Sequence, residues 1–356
     1  MGAAPGPPRG SGSPSWSSTR PTISDLAALS GVSKTTVSNV IRGVGRVAPG
    51  TRERVLESAR TLGYRPNGLA RNLVRQRSDT IGVVVGDLAN TFYAELVKML
   101  ERRASDEAYT TMVCNTDGNL TLEAARIEAL LERAVSGVVM LQFSGDQAVL
   151  DELEAAAIPV VVVSCWEERV DSVAVDDRAG MALAVDHLCE LGHRRIVFVS
   201  GPLIEESTRR VRLAGYQEQM RAAGLRPEHL FTDAWGDGEP GYTAALRELV
   251  HGDDPVTAFA VANDLMAIRL MDALESAGVG VPDDVSVVGF DGVDLGANSR
   301  IGLSTVAQPR KELARRGLDL LVARIADGEG DAAPHLVRLA PELVPRRSSA
   351  APRRCR

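Results

Sequence analysis

Several protein classes are excluded by what this sequence of 356 residues does not contain. No apolar run approaches the roughly 18 residues that a membrane-spanning helix needs. The opening segment MGAAPGPPRGSGSPSWSSTR has no apolar core of the kind a signal peptide needs, so export is not expected. Cysteine is scarce: Cys114, Cys165, Cys189 and Cys355 lie far apart without a CxxC, which argues against a zinc site or disulfide framework and fits a reducing cytoplasm. The five histidines (His187, His193, His229, His251 and His335) show no metal-ligand spacing, and His193 falls in a helix-to-strand turn where a structural role is expected. The glycines after apolar runs form neither G-x-G-x-x-G nor a P-loop. No catalytic constellation emerges, so neither an enzyme nor a bound cofactor or metal is expected.

The charge is unevenly distributed. The net value of −7 conceals a segment, 22–77, with ten Lys/Arg against three Asp/Glu, a balance of +7. Residues 78–345 carry 23 basic against 44 acidic groups, a balance of −21, and the two tails contain no acid at all. A small basic module joined to an acidic body suits a polyanion partner for the first part only, and nucleic acid is the expected partner.

Residues 1–20 are rich in Gly, Pro, Ser and Arg and are expected to be a disordered tail. From Thr22 to Tyr64 the apolar spacing is helical and the segments are short. Ile23, Leu26, Ala27 and Leu29 share one face of a first helix, with Thr22 and Asp25 spaced as a capping box and Gly31 as the stop. Ser33 can cap a second helix from Lys34 to about Arg42, with Val37, Val40 and Ile41 inward. Pro49 opens a third, whose expected buried stripe is Val55, Leu56, Ala59 and Leu62, and Gly63 ends it. Two short helices joined by a tight turn, the second polar outside, describe a helix-turn-helix. Lys34, Thr35, Thr36, Ser38 and Asn39 then face outward, able to bond base edges, while Arg42, Arg46, Arg52 and Arg54 suit phosphates. A short helical stretch, 67–74, follows.

From Asp79 the pattern changes to β-rich runs alternating with amphipathic helices, which predicts parallel sheets wrapped by helices. Strands are expected at 81–88, 109–115, 137–143, 158–165, 194–201, 256–264 and 285–292. Helices are expected at about 92–107, 121–133, 146–157, 178–191, 208–224, 240–251, 264–277 and 310–327. About 265 residues is long for one such sheet, so two lobes with a cleft are expected. Open parallel sheets bind ligands beyond the carboxyl ends of their strands. The residues there are Asp87 to Tyr93, Asn115 to Asp117, Gln142-Phe143, Cys165-Trp166, Asn263-Asp264 and Phe290-Asp291. Their mix of carboxylate, amide and aromatic groups suits a sugar, although Asn and Asp also collect at strand ends for turn reasons.

The stretches TISDLAALSGVSKTTVSNVIRG, VAPGTRERVLESARTLGYRPN and ARNL closely resemble the LacI (lactose-repressor) family of bacterial transcription regulators. The resemblance continues through LGHRRIVFVSGP, RLAGY, VANDLMA, VPDDVSVVGFDG, LSTVAQP and LVPRRSS, and covers roughly residues 22–349. It implies a helix-turn-helix domain over 21–66, a hinge helix and linker over 67–78, a two-lobed periplasmic-binding-protein-like body for effector binding and dimerisation over 79–345, and a basic tail over 346–356. Thr35, Thr36, Ser38 and Asn39 fall where the family reads the major groove. Asn67, Ala70 and Leu73 fall on the hinge helix, with Leu73 matching the leucine that wedges into the minor groove. Arg212, Asn263 and Asp291 match effector-binding positions, Phe92 falls where the first lobe presents an aromatic, and Trp166 and Trp235 are candidate stacking platforms. Two departures stand out. Ala48 occupies a position where the family commonly has a capping serine. Ser164-Cys165-Trp166 replaces an acidic residue that many members carry, unless Glu167 substitutes for it.

The resulting expectation is a cytoplasmic, dimeric repressor of a pseudo-palindromic operator, released by a small metabolite between the lobes, a sugar by preference. A corepressor-dependent regulator is the first alternative, and a soluble solute-binding protein with a vestigial DNA module the second. The C-terminal SSAAPRRCR has no leucine heptads, which favours a dimer over a tetramer.

Overall fold

The computed structural model describes residues 21–42, 44–64, 78–201, 208–231, 240–328 and 333–353. The expected tail 1–20, the hinge helix with Asn67, Ala70 and Leu73, and Trp235 lie outside the described residues. The chain divides into two compact units, with the boundary between Arg77 and Ser78.

The first unit holds three helices: α1 (Ile23–Ser30), α2 (Lys34–Arg42) and α3 (Pro49–Leu62). Helix α1 starts on a reciprocal cap: the Asp25 amide donates to Thr22 Oγ1 at 3.3 Å and the Thr22 amide to Asp25 Oδ2 at 2.8 Å. These bonds from Thr22 hold the Asp25 carboxyl below its usual value. Gly31 and Gly63, at φ +66° and +62°, end α1 and α3 in the left-handed turn that glycine adopts most easily. Helix α2 starts on Ser33, whose Oγ accepts from the Thr36 amide at 3.1 Å. Ala48, by contrast, gives α3 no side-chain cap.

Leu26, Ala27, Val37, Val40 and Val55 form the core of this unit, flanked by Ile23, Ile41, Ala59, Leu62 and Tyr64. Two expected core positions are corrected. Leu29 is 52% and Leu56 39% exposed, and Ser30 and Ser58 are buried in their stead. Both serines return their hydroxyls to their own helix, Ser30 to the Leu26 carbonyl at 2.6 Å and Ser58 to that of Arg54 at 2.8 Å. A small side chain that satisfies its own polar group can therefore occupy the inner face, and the two leucines are left outside.

The second unit contains two six-stranded sheets. Its chain begins β1 (Thr80–Val85), α4 (Thr91–Asp106), β2 (Thr110–Asn115), α5 (Leu120–Glu132), β3 (Gly137–Leu141), α6 (Gln147–Ala155), β4 (Val160–Val163) and β5 (Asp171–Val175). It then crosses to a second lobe: α7 (Asp177–Glu190), β6 (Ile196–Ser200), α8 (Thr208–Ala222), β7 (Glu228–Phe231), α9 (Pro240–His251), β8 (Ala258–Val261), α10 (Asp264–Ser276), β9 (Ser286–Asp291) and β10 (Ser304–Ala307). Helix α11 (Arg310–Asp327) returns to the first lobe and leads into β11 (Leu336–Leu339), and β12 (Glu342–Val344) ends in the second.

The first sheet has the order β11-β5-β4-β3-β1-β2 and is wholly parallel. The second, β12-β10-β9-β8-β6-β7, is parallel apart from the antiparallel pair β10 and β12. The central strands are buried along nearly their whole length, as helices on both faces require. Three crossings between lobes, after β5, after β10 and after β11, place two sets of strand ends side by side.

Residues 346–350, expected to begin a basic tail, are instead fastened to the second lobe. The Ser348 hydroxyl donates to the Val287 carbonyl at 2.6 Å, and the Ser348 amide to the Gly302 carbonyl at 3.0 Å. His193 lies beneath this segment, with Nε2 2.9 Å from the Ala350 carbonyl and Nδ1 2.9 Å from the Thr257 hydroxyl. Burial lowers its pKa below the usual histidine value. Its role is structural, as the turn position predicted.

Candidate DNA-reading face and effector site

On α2, Lys34 and Thr35 are exposed while Thr36, Ser38 and Asn39 are half-buried. Periodicity alone produces this arrangement, because Val37 and Val40 take the inner face. The Thr36 hydroxyl is not idle: it lies 2.9 Å from that of Ser33. Asn39 lies against the turn that follows the helix. Its carbonyl accepts from the Val44 amide at 3.0 Å, and its carboxamide lies where a Cβ on Gly45 would be 3.5 Å away. Arg42 closes the helix, and Arg46 is exposed in the next turn. Arg54, expected on phosphate, donates through Nε to the Ser30 carbonyl at the end of α1, at 3.1 Å. That bond satisfies a terminal helix carbonyl with a cation, so Arg54 has a structural task within its own unit.

In the second unit the strand ends gather around Arg212 of α8. Its guanidinium is buried: Nε donates to Asp177 Oδ1 at 2.7 Å, and Nη1 donates to the Ala262 carbonyl at 2.6 Å and lies 3.4 Å from Asp291 Oδ1. The Phe290 ring lies 3.7 Å beneath its central carbon, a cation–π contact. Asp291, at the end of β9, also accepts from Gln308 Nε2 at 2.8 Å. Burial raises the Asp291 carboxyl well above its usual value; Arg212 pulls it partly back and the neighbouring Asp264 adds to the rise. Asp264 is itself raised by burial and opposed by bonds from Thr305 and the Val293 amide.

Asn263 begins α10 as its cap, accepting from the Met266 amide at 2.8 Å through Oδ1. Among the described residues, its Nδ2 has no hydrogen-bond partner. Phe92 is 2% exposed, packed in the core of the first lobe and edge-on to Tyr93 at 5.2 Å. Trp166 is 38% exposed, with the Arg338 guanidinium 4.8 Å over its ring. Glu167 is held by Gln147 Nε2 at 3.2 Å and by the Arg169 amide at 2.9 Å in a turn of the first lobe, so its carboxylate is already engaged.

Several residues of this cluster were not singled out from sequence. Tyr93 and Asp264 lie among the expected strand-end residues, and Asp177 and Gln308 lie outside them. Tyr93 is pushed above its usual phenol value by burial and then by the charge of Asp291, so a first-lobe hydroxyl shares a field with a second-lobe carboxylate. A backbone signal accompanies them. Gln142, Ser164 and Asp291, following or ending β3, β4 and β9, have φ of +67°, +69° and +125°. Non-glycine residues there cost about 1–3 kcal/mol each, and such strain collects where side chains must be aimed. Burial pushes the thiol of Cys165 beside them up to about 12, which keeps it protonated.

Together, a helix-turn-helix unit and a two-lobed body with a buried polar cluster at its strand ends define a class: a DNA-binding regulator with a ligand-binding body. Similarity to known proteins narrows it. Residues 22–67 match the profile of the bacterial regulatory proteins of the lacI family, and 185–349 that of the periplasmic binding protein-like domain. The chain is 34% identical to the HTH-type transcriptional repressor PurR of Photobacterium profundum, over 92% of this chain and 98% of that one. It is 33% identical to the ribose operon repressor of Escherichia coli (strain K12), over 85% and 93%. Among solved structures, the lac repressor dimer bound to operator and the anti-inducer ONPF matches with a TM-score of 0.79 and 29% identity, covering 94% of this chain and all of that one. The chain belongs to the LacI family and is a DNA-binding transcriptional repressor, not an enzyme.

Proposed function

We propose that the protein works as a homodimer in the cytoplasm, occupies a pseudo-palindromic operator, and releases it when a small polyhydroxylated metabolite, a carbohydrate by preference, binds at the strand ends of the body. The observation that carries this reading is the Arg212 cluster: one buried guanidinium, two carboxylates within 3.4 Å and an aromatic face. Planar forks of this kind pair with adjacent hydroxyls, and Gln308 and the free end of Asn263 add amide donors. Names of relatives support the ligand class, since one is a ribose operon repressor. The operator-bound lac repressor dimer supports the symmetry, because a two-fold protein reads a two-fold site.

Within this reading Lys34, Thr35, Thr36, Ser38 and Asn39 read bases, and Arg42 and Arg46 hold phosphates. The expected hinge positions Asn67, Ala70 and Leu73 and the expected tail 1–20 lie outside the described residues. Arg212, Asn263 and Asp291 hold the effector, with Trp166 as an aromatic neighbour; Phe92 is packed in the first-lobe core instead, and Trp235 lies outside the described residues. Effector binding favours one lobe arrangement, and linkage lowers operator affinity by the same free energy.

The test is selection of bound duplexes from a random pool at about 150 mM salt, followed by a metabolite screen for release. Enrichment of two half-sites about one helical turn apart, released by a sugar, is the expected result. A metabolite that tightens binding would make the protein corepressor-dependent, and no enrichment under any condition would contradict the reading.

A further inference from the structure

Beside the effector cluster, a turn of the second lobe is inserted into the first. After Asp291 the chain runs through Gly292, Val293 and Asp294 into the 3-10 turn Asp294–Ala297. Gly292, at φ +74°, lies so close to Ala307 that a Cβ there would meet that residue's own at 2.6 Å. This crowding holds the turn against the end of β10. Val293 is buried in the first-lobe core with Leu313 and Ala314 of α11. The next amide, that of Asp294, donates to Glu95 Oε1 on α4 of the first lobe at 3.2 Å. Glu95 in turn pairs with Arg310 at the start of α11, and the facing atoms Glu95 Oε2 and Arg310 Nη1 are both shielded from water. Arg310 Nη2 also reaches Asp294 Oδ1 at 3.0 Å, but the Asp294 side chain is 87% exposed, so that pair contributes little.

This turn is three residues from Asp291 along one strand. It is also tied to it along the other: the Gln308 amide donates to the Asp291 carbonyl at 3.1 Å, and the Arg310 amide to the Gln308 carbonyl at 2.8 Å. We propose that Glu95, braced by Arg310 and accepting the Asp294 amide, is the positioning residue that sets the lobe arrangement and converts a shift at Asp291 into a shift of the first lobe. The role rests on the proposed effector site for its signal, but the clamp itself needs no effector. A hydrogen bond to a charged acceptor is among the stronger kinds, whereas the Asp294 carboxylate, 87% exposed, is dispensable.

Proline at position 294 isolates the bond. The first position of a helical turn accepts proline, and Val293 is already extended at φ −65° and ψ 148°. Asp294→Pro thus removes the donor while leaving the Glu95–Arg310 pair intact, and Asp294→Ala removes only the carboxylate. The readout is hydrogen exchange of the full-length, effector-free protein, followed peptide by peptide. Asp294→Pro is expected to raise exchange at least about fivefold both at 91–96 of α4 and at 262–267 around the α10 cap, with β3 and β8 unchanged. Asp294→Ala should stay near wild type. Should Asp294→Pro fail to fold, Glu95→Ala removes the acceptor and must give the same remote pattern. A rise confined to 294–297, or equal behaviour of the proline and alanine variants, overturns the clamp. Given an effector that releases wild type, the half-release concentration should also move about tenfold, as loss of one such bond implies. A protein with the exchange signature but no responsive metabolite would refute the effector reading and leave the clamp standing.

Discussion

The two units handle polar chemistry in opposite ways. The first keeps its candidate DNA-contacting groups outside: Lys34, Thr35 and Arg46 are exposed, while the core beneath is apolar apart from two serines bonded to their own helix. The second buries its candidate groups: Arg212, Asp177, Asp264 and Asp291 are all shielded from water and depend on one another. A DNA-reading surface can therefore change without disturbing the fold that carries it. In the body, the residues proposed to bind the effector are the same ones that satisfy each other's buried charge.

Substitution of Arg212 tests this contrast most severely. Arg212→Ala leaves Asp177 buried without its cation, a loss of the kind that costs about 3–5 kcal/mol. Thermal unfolding should show the body melting much lower while the first unit, followed by operator binding of the surviving protein, is unaffected. An unchanged melting temperature would mean the cluster is far wetter than its burial indicates.

Asp291→Asn sharpens the comparison through pH. Burial raises the Asp291 carboxyl from 3.8 to about 8. The folded body therefore binds that proton more tightly than the unfolded chain and loses stability as pH climbs through this window. Asparagine has no proton to lose. The variant should be more stable than wild type at pH 8 and about equal at pH 4, with Arg212 still held by Asp177. A variant less stable at both values would show that the ionised carboxylate is a net asset.

Smaller effects are expected in the first unit. Asn39→Ala should weaken discrimination at one operator base pair by about 1–3 kcal/mol and shift the melting temperature little, as binding to single-base operator variants would reveal. Thr22→Ala breaks the α1 cap and should cost about 1 kcal/mol in chemical denaturation, with sequence preference intact.

The contrast also explains what could be read from the sequence. Caps, turn glycines and 3.6-residue periodicity are local, so Thr22, Gly31, Ser33 and Gly63 located the helices of the first unit closely. The errors there, Leu29 and Leu56, came from counting leucine as core and serine as surface. In the body, long apolar runs mark the central strands, but β5 (DSVAV), β7 (EHLF), β10 (STVA), β11 (LVRL) and β12 (ELV) have no comparable run. Strand β10, STVA, hides a fully buried Ser304 and Thr305. The partners of Arg212 come from residues 35 to 79 positions away, and no spacing rule joins Asp177 or Asp291 to it. The family resemblance supplied Arg212, Asn263 and Asp291; only the folded chain adds Tyr93, Asp177 and Gln308.

The measurement that bears most directly on the account is operator release by Asp291→Asn. On an operator obtained by selection, the variant should bind within about threefold of wild type yet stay bound at concentrations of the metabolite that free the wild-type protein. Release at the wild-type concentration would remove Asp291 from the effector site and contradict the account.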